Sequence, residues 1–282
     1  GMRPPEGLDF FNFETDNWRG ILLVSSRAEA DKLCKSLQPE AISSITEHTS
    51  LRKSRNAIWT VSDPRNANKK LVAKKPLRIS WHKRILDRKK PSKALRSWNG
   101  TCELMRRGIN TPSAVAYFES KRPRDIMENW FVCEHVEGAV SVRCFFSKYA
   151  AGETVVEGIK FSEFSEKLVD FVIRMHRTRI FFRDLAGGNI LVTFTENMEL
   201  KFTLIDTARI KCESRGLKLR HIVQDLKRLC LKLNPDQQRD FMQEYLSRVG
   251  LRFTKLQSLS FKLFAIKVKL KRCKRNLMKK LR

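Results

Sequence analysis

Residues 183–210 constrain this chain more than any other stretch. Arg183-Asp184-Leu185-Ala186-Gly187-Gly188-Asn189-Ile190-Leu191-Val192 runs from polar loop residues into an apolar, β-branched segment, and Leu204-Ile205-Asp206-Thr207-Ala208-Arg209 closes a second such segment, with Asp206 17 residues after Asn189. An Asp, an Asn five residues later and a second Asp therefore fall on a loop–strand–turn–strand frame. Taken singly, Asp and Asn are common turn residues and imply nothing. At these spacings they form the layout that phosphoryl transfer requires. One carboxylate accepts the proton of an attacking hydroxyl, while an amide oxygen and a second carboxylate hold a metal that bridges nucleotide phosphates. Mg²⁺ suits such a pair, because it prefers hard oxygens and leaves its remaining positions to phosphate and water.

The surrounding pattern agrees with a two-part fold. Residues 20–24, 57–61, 69–75, 113–119 and 130–136 are short apolar or β-branched runs and predict strands, with a helix over 28–37. Ser92 as N-cap and Gly108 as stop bracket a helix over 93–107 with Leu95, Trp98, Cys102 and Met105 on its apolar stripe. The second half turns helical. Phe164, Leu168, Phe171, Val172 and Met175 repeat at the 3.6-residue period and predict a helix over 162–177, with others over 221–233, 236–248 and 255–281. With 41% apolar residues the chain has material for a real core. The predicted class is α+β, with a β-rich N-lobe (1–134) and a mainly helical C-lobe (135–282).

Charge narrows the partner. The formal net charge is +27, and nearly all of it lies in two segments. Residues 65–107 hold 15 Lys and Arg against Asp87 and Glu103, and residues 245–282 hold 13 with no acid. Charge localised this way predicts a polyanionic partner: a phosphorylated glycolipid, an acidic membrane surface or nucleic acid. Nucleic acid rests on charge alone, since no basic motif interleaved with aromatics accompanies it. Seven dispersed cysteines without a C-x-x-C pair, and no basic-then-apolar leader or long apolar run, predict reduced thiols in a cytoplasmic protein.

These features resemble the protein-kinase-like fold and, more closely, the bacterial lipopolysaccharide kinase family, which phosphorylates Kdo or heptose in the inner core. The segments that carry the resemblance are Ala94–Glu119, His176–Val192, Leu204–Ile210 and Gln224–Cys230, with R-G-I-x-T-P at Arg107–Pro112 and D-x-x-R at Asp206–Arg209 in place of D-F-G. The resemblance implies ATP and Mg²⁺ as cofactors and an anionic glycolipid acceptor, handled at the cytoplasmic face of the inner membrane. It implies Asp184 as catalytic-loop base with Arg183 beside it, and Asn189 and Asp206 as metal ligands. It further implies backbone contacts to adenine at Glu134 and Val136, and Asp225 as the anchor beneath the catalytic loop. Val72-Ala73-Lys74-Lys75 offers two phosphate-contacting lysines, of which strand alternation admits only one to the site; Lys74 is slightly favoured.

Three departures keep an alternative open, a nucleotide-binding module without turnover. Leu51–Ala57 occupies the place of the glycine-rich loop without a glycine, Phe182 replaces the catalytic-loop His, and Glu103 is the sole acid available for the ion pair of the first-lobe helix. A kinase acting on protein or another small molecule is the other alternative. In the basic C-terminal helix, Leu263, Ile266, Leu270 and Leu277 line one face. That pattern fits an interfacial helix on anionic lipid, an RNA-binding tail, or a helix packed on the second lobe by its apolar face.

Overall fold

The computed structural model describes residues 3–43, 56–76, 91–121, 129–183, 185–251 and 255–280. The replacement of the glycine-rich loop therefore lies outside the described residues but for its last two positions. The chain divides into two compact units, residues 1–138 with 203–210, and residues 139–202 with 211–282.

The first unit is built on one antiparallel sheet. Its strands are β1 (Asp9–Glu14), β2 (Trp18–Val24), β3 (Asn56–Asp63), β4 (Asn66–Pro76), β5 (Ala114–Ser120) and β6 (Trp130–Glu134), in spatial order β1-β2-β5-β6-β4-β3. Side chains alternate across it, so both faces need cover. One face carries Leu22, Trp59, Leu71, Ala73 and Trp130 and is closed by helices α1 (Arg27–Ser36) and α2 (Pro39–Ser43), through Ala30, Leu33 and Ile42. The other carries Leu23, Val72, Tyr117, Phe131 and Cys133 and is closed by α3 (Lys93–Arg106), through Ala94, Trp98 and Cys102. Ser92 caps α3 as its sequence predicts, its hydroxyl accepting from Leu95 N–H at 3.1 Å.

The second unit is mainly helical. Its helices are α4 (Val142–Ala150), α5 (Phe161–Arg177), α6 (Leu219–Leu229), α7 (Pro235–Arg248) and α8 (Lys255–Lys280). The periodic residues Phe164, Leu168, Phe171, Val172 and Met175 of α5 are all buried, and Phe164 stacks on Phe145 of α4 at 4.7 Å. Asn234 and Gln237 form a capping box that starts α7. Short strands complete the unit: β7 (Val140–Ser141), β8 (Val155–Val156), β9 (Ile159–Lys160), β10 (Ile180–Phe181), β11 (Ile190–Phe194), β12 (Leu200–Leu204) and β13 (Lys211–Cys212). β1 and α4 lie outside the elements expected from periodicity, β1 because its Phe10-Phe11-Asn12-Phe13 run does not alternate cleanly.

Candidate active site

The catalytic-loop side belongs to the second unit. Asp225 of α6 is fully buried, and the backbone N–H of Phe182 points at its carboxylate, 3.2 Å from Oδ1 and 3.1 Å from Oδ2. His176 of α5 bridges Asp225 Oδ2 at 2.9 Å and Tyr245 Oη at 2.7 Å. Burial, with Asp225 nearby, pushes the Tyr245 phenol far above its ordinary range, so it stays a neutral hydrogen-bonding group. The anchor expected of Asp225 is therefore made through main chain. That is why Phe182 fits where a His is usual: the bond that matters needs an N–H, which every residue but proline supplies.

Downstream of that anchor, Arg183 is exposed and holds a left-handed backbone at φ 66°. Asp184 lies outside the described residues. Gly187, Gly188 and Asn189 form one 3₁₀ turn, with Asn189 N–H donating to Ala186 O at 2.9 Å, and Ile190 then enters β11. The two glycines lie against Arg143 at the start of α4. A Cβ on Gly187 would stand 3.1 Å from Arg143 N, and one on Gly188 would meet the guanidinium. The Gly-Gly pair between Asp184 and Asn189 thus lets the loop close down on a helix terminus. Asn189 itself is half-buried.

The other acid belongs to the first unit, and its turn is held from both sides. Asp206 follows β12 in the left-handed region, φ 59° and ψ 49°, a conformation Asp tolerates better than most residues. Before it, the Arg107–Pro112 segment grips the strand end: Leu204 N–H donates to Asn110 O at 2.9 Å, Asn110 Nδ2 to Thr203 Oγ1 at 2.9 Å, and Thr111 Oγ1 to Leu204 O at 2.8 Å. After it, Thr207 Oγ1 donates to Ser97 O at 3.0 Å and lies 2.8 Å from Thr101 Oγ1, both partners on α3. Gly100 makes this approach feasible, since a Cβ there would sit 2.3 Å from Thr207 O. None of Ser97, Gly100, Thr101 or Thr207 was singled out from sequence. The signal for them in the sequence is R-G-I-x-T-P at Arg107–Pro112, whose pattern does not reveal its physical purpose.

Charges of both signs act on Lys93. Lys93, the first residue of α3, is half-buried, and burial holds its ammonium below the ordinary lysine range; Asp206 pulls the other way, while Lys74, Arg209 and Arg96 add to the depression. Each of these groups thus lies within electrostatic reach of Lys93. Lys74 reaches it because it pairs in register with Ile58 and Phe131 and, with Val72, lies on the α3 face of the sheet. Lys75 points to the opposite face, 5.5 Å over the Trp130 ring. Lys93 is a candidate that sequence reasoning missed, for nothing in Pro91-Ser92-Lys93 distinguishes it from the basic residues around it.

The remaining candidates have other company. Glu103 is held by Arg106 and by Arg107 Nε at 3.0 Å; burial alone would raise its carboxyl, but the two guanidinium groups keep it below the ordinary glutamate range. Glu134 ends β6 with its N–H on Ser113 O at 3.0 Å and its carboxylate 3.6 Å from Arg65 Nη2. Val136, two residues on, is half-buried. The buried thiols Cys102, Cys133 and Cys230 are packing groups rather than nucleophiles: burial pushes Cys102 up to about 12 and moves the other two in the same direction.

Among the described residues no three His, Cys, Asp or Glu side chains cluster as a metal cage. Asn189 and Asp206 each offer a hard oxygen, a donor type that suits Mg²⁺ rather than zinc.

The model of the lipopolysaccharide kinase (Kdo/WaaP) family matches residues 50–255. The chain belongs to this family. It is accordingly a kinase of lipopolysaccharide core biosynthesis, a phosphotransferase acting on a sugar hydroxyl. Among solved structures, WaaP in complex with acyl carrier protein aligns over 81% of this chain and 91% of that one, with a TM-score of 0.57 and 18% identity. At that identity the likeness speaks for the fold, which is protein-kinase-like as expected, with a β-rich first part and a helical second. No curated protein sequence matches the chain.

Proposed function

We propose that this kinase transfers the γ-phosphate of ATP, with Mg²⁺, to a hydroxyl of Kdo or heptose in the lipopolysaccharide inner core. The observation that carries the reading is the anchoring of Phe182 N–H on the buried Asp225, two residues before Asp184. A general base must be held where it meets a hydroxyl proton, and a loop pinned at its root to a buried carboxylate supplies that constraint. Asp184 accepts the proton of the attacking hydroxyl, with Arg183 beside it to brace the loop. Asn189 and Asp206 supply oxygens for the metal. Mg²⁺, when bound, neutralises the phosphate charge.

Lys93, with Lys74 and Arg209 within its electrostatic reach, favours bound phosphate by the same electrostatic logic. Adenine meets backbone groups at Glu134 and Val136. The basic segment 65–107 holds the acidic acceptor. ATP and a lipid-linked acceptor meet at the cytoplasmic face of the inner membrane, which is where we propose the chain works.

Phosphate transfer from labelled ATP to Kdo-terminated and heptosylated lipid A acceptors tests this reading and tells the two sugars apart. Asp184→Ala is expected to lower kcat by about 10²-fold or more. Unchanged turnover would remove Asp184 from the role of base. Lys74→Ala is expected to raise the KM for ATP about tenfold, the loss of one charge-assisted contact. Nucleotide binding with no transfer to any core acceptor would favour a binding module instead.

A further inference from the structure

The C-terminal helix α8 turns its leucines outward. Leu263, Ile266, Leu270, Leu277 and Met278 are 53–65% exposed. Among the described side chains of α8, those partly covered are Ser260, Phe264, Ala265 and Val268, and Ser260 Oγ accepts from Lys227 Nζ of α6. At about 100° per residue, Phe264, Ala265 and Val268 centre on one side of the helix, and Leu263, Ile266, Leu270 and Leu277 on the side diametrically opposite. The leucine stripe is therefore not the face by which α8 packs on its own unit. A contiguous exposed apolar stripe marks an interaction surface.

Charge identifies the occupant. α8 contains ten Lys and Arg and no acid over its 26 residues. Lys267 and Lys274 flank the stripe on one edge, and Lys262 and Lys269 on the other, where their long stems can lie along apolar surface while the ammonium groups reach outward. The helix is about 39 Å long, and the stripe from Leu263 to Leu277 extends about 21 Å along it. A flat, negatively charged surface with an apolar layer beneath matches this shape along its whole length. A second copy of the helix does not, because pairing two stripes would set ten positive charges against ten. RNA would use the lysines and leave the leucines in water.

We infer that α8 is an interfacial helix that seats the protein on an anionic lipid bilayer, its leucine face in the headgroup–acyl boundary and its lysines among lipid phosphates. No described helix is long and apolar enough to cross a membrane, so the contact is with the surface. The inference rests on the proposed function only for which membrane is met, and vesicle binding measures it without any phosphate transfer.

The test is flotation of the full-length protein with vesicles of phosphatidylcholine alone and with added phosphatidylglycerol. The wild-type chain is expected to float with the anionic vesicles only. The combined variant Leu263→Gln, Ile266→Gln, Leu270→Gln, Leu277→Gln keeps good helix formers and is expected to lose about tenfold or more of the partition. The variant Lys262→Gln, Lys267→Gln, Lys269→Gln, Lys274→Gln leaves the leucines in place and is expected to lose a similar amount. Thermal unfolding at the wild-type temperature qualifies each variant as folded. Equal flotation with neutral vesicles, or undiminished flotation of the leucine variant, overturns the inference. So does a leucine-dependent dimer, or RNA binding unaffected by the leucine changes, in a protein that ignores anionic vesicles.

Discussion

The described segments beside the two acids of the proposed chemistry are held by opposite means. The segment entering Asp184 hangs on a buried charge: Asp225, fully buried, gathers Phe182 N–H and the His176 ring, and His176 passes the network on to Tyr245. The turn of Asp206 hangs on neutral groups: Thr207 with Thr101 and Ser97, Thr111 with the Leu204 carbonyl, and Asn110 with Thr203. Each segment also contains a non-glycine residue in the left-handed region, Arg183 and Asp206. Such a residue costs about 1–2 kcal/mol and persists only where its surroundings hold it. The difference is in what each anchor demands of sequence. A buried carboxylate that captures a main-chain N–H is indifferent to the side chain above it, so Phe182 is accepted. A hydroxyl network is built of side chains and fails with them.

Breaking the ionic anchor has the largest expected effect. Asp225→Ala leaves the Phe182 N–H and His176 without their acceptor, and should cost about 3–5 kcal/mol in a denaturant-unfolding measurement. Asp225→Asn keeps an acceptor oxygen and should cost less, about 1–3 kcal/mol. If the two variants lose the same amount, charge is not what distinguishes this anchor.

Next comes steric failure of the neutral anchor. Gly100→Ala gains helix propensity yet places a Cβ 2.3 Å from Thr207 O. The expected net loss is about 1–3 kcal/mol, with a rise in the KM for ATP from displacement of Asp206. A stabilised Gly100→Ala protein would mean that α3 and the turn can separate without consequence.

Thr207→Val should cost about 1–3 kcal/mol, since it leaves Ser97 O and the Thr101 hydroxyl without this partner. Adding Thr101→Val should cost little more, because the second change removes a group already deprived. Strict additivity of the two would show that the hydroxyls do not form one unit. Smallest is Lys75→Ala, which removes the contact with Trp130. About 0.5–1 kcal/mol is expected, with the KM for ATP unchanged. A large change in KM would return Lys75 to the nucleotide site.

How much of this could be read in advance depends on the range of the interaction. Helix α5 was legible to within a residue because Phe164, Leu168, Phe171, Val172 and Met175 repeat locally, and the α3 cap because Ser92 and Leu95 are three residues apart. Lys93, which feels Asp206 across 113 residues of chain, was not. Strand alternation said that Lys74 and Lys75 diverge; only the sheet, with α3 on one face and Trp130 on the other, decided which of them lies on the side of Lys93. Glu103 looked available because the sequence does not reveal that Arg106 and Arg107, one turn on, close over it.

The chain's order of residues alone gave the spacing of Asp184, Asn189 and Asp206 on which the kinase reading rests, and the periodic segments determined most of the elements around them. Tertiary structure decided what holds those residues. The R-G-I-x-T-P segment acquired its reason only when Asn110 and Thr111 met Thr203 and Leu204, and the leucines of α8 became an outward face only when Phe264, Ala265 and Val268 took the inward one. Periodicity reports which side chains share a face. Which face is covered depends on neighbours distant in sequence, and those contacts exist only in the folded chain.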